Sequence, residues 1–249
     1  MYSIIKKDVG IGLLLIISSM FYGCGGNEGQ TGSGTTPAKP DPFLSLQVQT
    51  PVFEGDSAFA FIERQLAFGP RVPGTPTHAK AAEWLIQQFE QYGAQVTPQR
   101  AKIKRHTGEE IPMVNIIASF YPDRADRIIL SAHWDSRPIA EEDSDPAKQQ
   151  KPIPGANDGG SGVAVLLELA RLLGDTTLNI GVDLILWDAE DGGDAKVEHS
   201  FCLGSQYWAA NPHKPGYRAR YGINLDMVGA KDATFLQEGV SRTYAPELL

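Results

Sequence analysis

The sequence predicts an α/β fold built on a largely parallel central sheet. Three observations carry that expectation. Short apolar, β-branched runs alternate with longer stretches of helical periodicity. Three of those runs end on a carboxylate or an imidazole, at the strand ends where open α/β sheets gather their ligands. A Gly-rich turn opens directly into a long apolar helix.

The elements follow in order. Ala58 to Leu66 reads as an amphipathic helix, and Phe68 to Gly74 as a Gly/Pro loop. Thr75 is placed to cap a second helix. Pro76 suits its first position, where a missing N–H costs nothing. Ala81, Trp84, Leu85 and Phe89 share one face of that helix, and Gly93 closes it. Gln95 to Lys104 alternates like an edge strand, while Val114 to Phe120 and Arg127 to Ala132 read as more buried strands. Val163, Leu166, Leu167, Ala170 and Leu173 recur at helical spacing before Gly174. Val182 to Trp187 and Tyr221 to Leu225 complete the strands, and no internal repeat is evident.

At 249 residues, with 42% hydrophobic and 21% charged, the composition is that of a globular chain. It excludes a mainly disordered, collagen-like or multi-span membrane protein. A net charge of −8 without a Lys/Arg stripe excludes a nucleic-acid partner. Two cysteines cannot form a disulfide framework. Lys6 and Lys7 precede an apolar stretch that runs from Val9 and stops at Gly23-Cys24, too short for a membrane span. Residues 1–23 therefore read as a lipoprotein signal peptide with Cys24 as the acylated new N-terminus; the alternative is an ordinary cleaved leader. Residues 24–45 are a flexible Gly/Ser/Thr/Pro tether and 46–249 the folded domain. The expected location is export, with a lipid anchor in a bacterial membrane, periplasmic or surface-facing.

The acids are where the chemistry concentrates. One strand runs into His133-Trp-Asp135, another into Asp188-Ala-Glu190-Asp191 and a third into Asp226. Asp158 lies in the turn Pro154 to Gly162, whose glycines leave room for close approach by metal or substrate. Converging carboxylates repel, and a divalent cation inverts that electrostatics. Asp, Glu and His without Cys fit a catalytic Zn2+ site. Neighbouring Glu190 and Asp191 point to different sides, so one can bind metal while the other carries protons. The Gly159–Gly162 turn lacks a Walker lysine, and Ser161 is not in a Gly-x-Ser-x-Gly elbow. Asp188, Asp143 and Asp145 read as caps. His78, His106, His199 and His213 read as surface or capping residues.

Ser131 to Ser136, Gly155 to Gly162, Trp187 to Asp191 and Leu225 to Gly229 resemble the zinc-dependent aminopeptidase superfamily. Phe68 to Thr75, Phe201 to Tyr207 and Asn224 to Phe235 bring the chain closest to its glutaminyl-peptide cyclotransferases of the bacterial lipoprotein type. The resemblance implies a three-layer α/β/α sandwich with a mixed, mostly parallel sheet. It also implies Asp158 and Asp191 as zinc ligands, Glu190 as proton shuttle and Asp226 as a catalytic support behind the ligands. His133 matches a ligand of the aminopeptidases that is usually not one in the cyclases. The family's third ligand is a downstream His, and no His follows His213, so the expectation is a chain truncated at its C-terminus. The implied activity converts the N-terminal Gln of peptides to pyroglutamate with release of ammonia. The alternatives are a zinc metalloaminopeptidase and an inactive, truncated peptide-binding lipoprotein.

Overall fold

A computed structural model describes residues 2–5, 50–237 and 239–248. Cys24, the apolar leader from Val9 and the tether lie outside the described residues. The strands are β1 (Tyr2–Ile5), β2 (Gln95–Lys104), β3 (Glu110–Phe120), β4 (Arg127–His133), β5 (Gly181–Trp187) and β6 (Gly222–Leu225). The helices are α1 (Gly55–Leu66), α2 (Pro76–Gln91), α3 (Gly160–Gly174), α4 (Leu203–Ala210) and α5 (Gly239–Tyr244). Thr75 caps α2 as its sequence suggests: its side chain accepts the His78 N–H at 3.2 Å, with Pro76 in the first turn.

The strand order is β1-β6-β4-β5-β3-β2. β4 runs parallel to β5 and to β6, so the expected parallel arrangement holds at the centre. The flanking pairs β5-β3, β3-β2 and β6-β1 are antiparallel. The reason on one flank is chain length: only residues 105–109 join β2 to β3, enough for a hairpin but not for a crossover.

Both faces of the sheet are covered. Ile116, Ala118 and Phe120 of β3 and Val182, Leu184 and Leu186 of β5 pack with Leu85 and Phe89 of α2 and Leu166 and Leu167 of α3. The intervening side chains point the other way, where Ile111 and Met113 meet Ala189, Leu203 and Tyr207 beside α4. The result is the three-layer α/β/α sandwich. Each such buried Leu, Ile or Phe contributes roughly 1.5–3 kcal/mol, and this core holds the strand ends in register. α4 has no counterpart in the sequence reading. It is eight residues long, with Cys202 at its N-cap and no capping side chain to announce it.

Asp183 is the exception in an otherwise apolar β5. Its carboxylate accepts Arg127 Nε at 2.8 Å and Nη2 at 2.6 Å, Ser119 Oγ at 2.6 Å and Tyr217 OH at 2.5 Å. Arg127 also reaches the carbonyls of Phe120, Tyr121 and Arg124, so the pair ties β3, β4 and β5 together. Burial would push the Asp183 carboxyl up, but the bonds from Arg127, Ser119 and Tyr217 outweigh it and hold it below the usual carboxylate range. Its stabilising contribution is therefore complete above the unfolded pKa of about 3.9 and is lost as pH falls through the folded value. Asp183→Asn keeps the shape but strands the Arg127 charge, and should cost about 3–5 kcal/mol in urea unfolding at neutral pH. A loss below about 1 kcal/mol would show the pair to be incidental.

Candidate active site

Three elements deliver one ligand atom each to the carboxyl end of the sheet. β4 ends on His133, the turn before α3 carries Asp158, and Asp226 follows β6. Nε2 of His133 lies 2.7 Å from Asp158 Oδ1 and 3.7 Å from Asp226 Oδ1, and the three ligand atoms lie within 4.8 Å of one another. The turns are laced together. Ser161 Oγ accepts the Val228 N–H at 3.0 Å, and Asn157 Oδ1 accepts the Gly229 N–H at 2.8 Å. Two glycines of this turn are required by backbone packing. A Cβ on Gly159 would land on the His133 carbonyl, and one on Gly162 would meet Leu225 O at 2.5 Å and Ala132 Cβ at 2.8 Å. These two glycines let α3 start directly against the ends of β4 and β6.

Asp135, fully buried, supports this centre from behind. Its Oδ1 lies 3.5 Å from His133 Nδ1 and accepts the Glu190 N–H at 3.0 Å; its Oδ2 accepts the Asp191 N–H at 3.2 Å. One carboxylate thus faces the imidazole and fixes the backbone of the adjacent acid pair. Asp191 is held from the other side by Arg137, whose Nη1 donates to the Asp191 carbonyl at 2.7 Å and lies 3.4 Å from its Oδ1. Arg137 also pairs with Glu141 and sits over the Phe201 ring.

The electrostatics are those of crowded acids. Burial, then the Asp158 and Asp135 carboxylates, push Asp191 up to about 7. Burial above all raises Glu190. His133 would be lowered by burial, but the Asp135, Asp158 and Asp226 carboxylates around it hold it well above the ordinary histidine range. The Cys202 thiol donates to Glu190 Oε1 at 3.1 Å, and burial followed by that carboxylate pushes it up to about 12.

Two further residues shape the site without touching its mouth. Arg71, fully buried, donates to the carbonyls of Trp134 (2.9 Å), Pro154 (3.1 Å) and Gly155 (2.7 Å), fixing the start of the Asp158 turn to the end of β4. Asp188 is not a mere cap. It is buried, bonds His78 Nε2 at 2.9 Å, and accepts the Val114 N–H at 2.6 Å and the Ala189 N–H at 2.7 Å. His78 is correspondingly no surface residue: it is buried, with its ring stacked on Trp134. His106 and His199 are exposed.

The structure thus joins Asp158 and Asp226 with His133, and sets Glu190 and Asp191 beside them through Asp135. Asp191 stands outside the close trio. Sequence reasoning quotes His133-Trp-Asp135 without giving Asp135 a role; its spacing, two residues beyond a strand-end His, is the signal that points to it. The donor set fits a divalent cation such as Zn2+. It comprises one imidazole whose second nitrogen faces a carboxylate, two partly exposed carboxylates and no thiolate among the ligand atoms.

Residues 115–248, more than half of the chain, match Peptidase family M28. Glutaminyl cyclase of Porphyromonas gingivalis is 50% identical, with a TM-score of 0.78 over 80% of this chain and 69% of that one. A Zn-dependent exopeptidase of Parabacteroides distasonis is 46% identical, with a TM-score of 0.79 over 80% of this chain and 70% of that one. Among curated sequences, the uncharacterized protein YfbL of Escherichia coli is 36% identical over 154 residues, 62% of this chain and 43% of that protein. The chain spans about half the length of the first curated relatives it matches. The carboxylate-lined centre, the sandwich that positions it and the matched segment agree: the chain belongs to peptidase family M28.

Proposed function

We propose that the chain carries the site of a zinc-dependent glutaminyl-peptide cyclotransferase, acting on peptides or proteins with N-terminal Gln. The observation that supports this reading is Glu190: a half-buried carboxylate with its pKa raised, set beside the His133–Asp158–Asp226 trio in a chain half identical to a bacterial glutaminyl cyclase. Asp158 would hold the metal with His133 and Asp226 on one side or Asp191 on the other. A bound Zn2+ would supply a Lewis acid for the γ-carboxamide carbonyl. Glu190 accepts a proton from the substrate α-amine as that nitrogen attacks the carbonyl carbon. The same carboxyl returns the proton to the departing amide nitrogen, so the lactam closes and ammonia leaves. Asp135 keeps the Glu190 main chain fixed while the proton moves.

A second reading, a zinc aminopeptidase, is favoured by one observation. His133, a ligand of the aminopeptidases, lies within the trio. There Glu190 would take its proton from water. Ammonia release from a Gln-initiated peptide, measured beside amino-acid release from peptides with other N-termini, separates the two. The cyclase reading expects ammonia without free amino acids; the reverse result would replace it.

Two outcomes follow. Glu190→Gln should lower turnover by about 10²–10⁴-fold with zinc content unchanged, as read by steady-state kinetics and metal analysis; a loss below about tenfold would remove Glu190 from the proton path. For location, we propose lipid anchoring at Cys24, on the strength of the Lys6-Lys7 pair and the apolar run that stops at Gly23-Cys24; cleavage there would remove β1 from the edge of the sheet. Cys24→Ser should move the protein from the membrane fraction to the soluble one; unchanged membrane association would contradict it.

A further inference from the structure

The segment that carries Glu190 is seated on the start of α4 in an unusual way. The first N–H groups of a helix have no partners within it. Here the N–H of Cys202 donates to Glu190 O at 2.9 Å, that of Leu203 to Ala189 O at 3.0 Å and that of Gly204 to Asp188 O at 3.1 Å. Gly204 permits this: a Cβ there would meet Asn115 Oδ1 at 2.5 Å as well as the Asp188 carbonyl. Helix N-caps are ordinarily Ser, Thr, Asp or Asn, whose side chains accept an N–H of their own helix. Cys202 occupies that position in the left-handed region at φ 58, and its side chain makes no capping bond. It points at Glu190 instead, with Sγ 3.1 Å from Oε1. Ala189 and Met227, the neighbours of Glu190 and Asp226, also hold positive φ, at 50° and 52°. Such backbone persists only where surroundings enforce it.

We propose that Cys202 is a positioning residue for Glu190: its thiol donates a hydrogen bond that selects the orientation of the carboxylate, while its N–H fixes the Glu190 carbonyl. This rests on Glu190 as the proton carrier of the reading above. The Glu190 main chain is gripped at both ends, by Asp135 on its N–H and by Cys202 on its carbonyl. Those bonds leave the side-chain torsions free. The thiol restricts them, and it does so with a weak donor on a short side chain. A donor to an ionised acceptor gains strength from the charge, yet a thiol binds loosely enough for the carboxylate to take and return a proton.

The chain has 2 cysteines, so in Cys24→Ser the thiol of Cys202 is the sole source of the infrared S–H stretching band. The proposal expects that band at lower frequency in the native chain than in the urea-unfolded one, and an upward shift on Glu190→Ala. A native band at or above the unfolded position, or one that ignores Glu190→Ala, would overturn it. This arm needs neither metal nor activity, so it stands or falls separately from the cyclase reading. In the zinc-loaded full chain, Cys202→Ala should lower kcat by roughly tenfold with KM unchanged, within the range expected for misplaced catalytic groups. Cys202→Ser, whose hydroxyl can also donate, should recover most of it. In a Glu190→Gln background, Cys202→Ala should add nothing. An equal loss in both backgrounds would mean that Cys202 acts on the fold and not through Glu190.

Discussion

The Asp135 carboxylate is the contact on which the site depends. β4 and β5 lie side by side, but their registered backbones stop at His133 and Trp187. Beyond that point no ladder keeps the two chain ends together except the Trp134 N–H, which donates to Trp187 O at 3.0 Å. Asp135 takes over, binding the N–H groups of Glu190 and Asp191 and facing His133 Nδ1. One buried side chain therefore relates the imidazole at the end of one strand to the acid pair at the end of the next.

That arrangement has an electrostatic cost which explains what the site is built to hold. Asp135, Asp158, Glu190, Asp191 and Asp226 all act on His133 or on one another. Burial and the neighbouring carboxylates shift Glu190 and Asp191 upward, and the carboxylates around His133 outweigh its burial and shift it upward as well. A divalent cation placed among the ligand atoms of His133, Asp158 and Asp226 would offset that mutual repulsion. Fixed backbone anchors are what allow such a cluster to persist, and Arg71, Asp188 and the Arg127–Asp183 pair supply them from below.

Most of the fold was legible because its signals are local. The Thr75-Pro76 cap, the alternating Gln95–Lys104 strand and the apolar spacing of α3 are each decided within a few residues. The carboxylates at the ends of β4, β5 and β6 were legible for the same reason. What escaped depends on partners far along the chain. Nothing near Asp188 in sequence announces His78, 110 residues away, or the Val114 N–H, 74 residues away. Asp183 reads as an interruption of a strand until Arg127 and Tyr217 are seen around it. That Gly159 and Gly162 sit against the ends of β4 and β6 shows only once the fold brings those distant segments together. α4 and its Cys202 were invisible because the helix is short and its N-terminal donors are satisfied by another segment.

The central claim is that these acids are assembled to bind a divalent cation. Zinc binding by the metal-free chain, and the protons that it displaces, test it most directly. The metal-free chain can be titrated with Zn2+ by calorimetry near neutral pH in buffers of different ionisation enthalpy. An imidazole binds metal only in its neutral form, and the carboxylates around His133 favour its protonated form, so the cation competes with protons there. The account predicts zinc binding with net proton release that diminishes in His133→Ala. Zinc binding without net proton release, or no zinc binding at all, would contradict it.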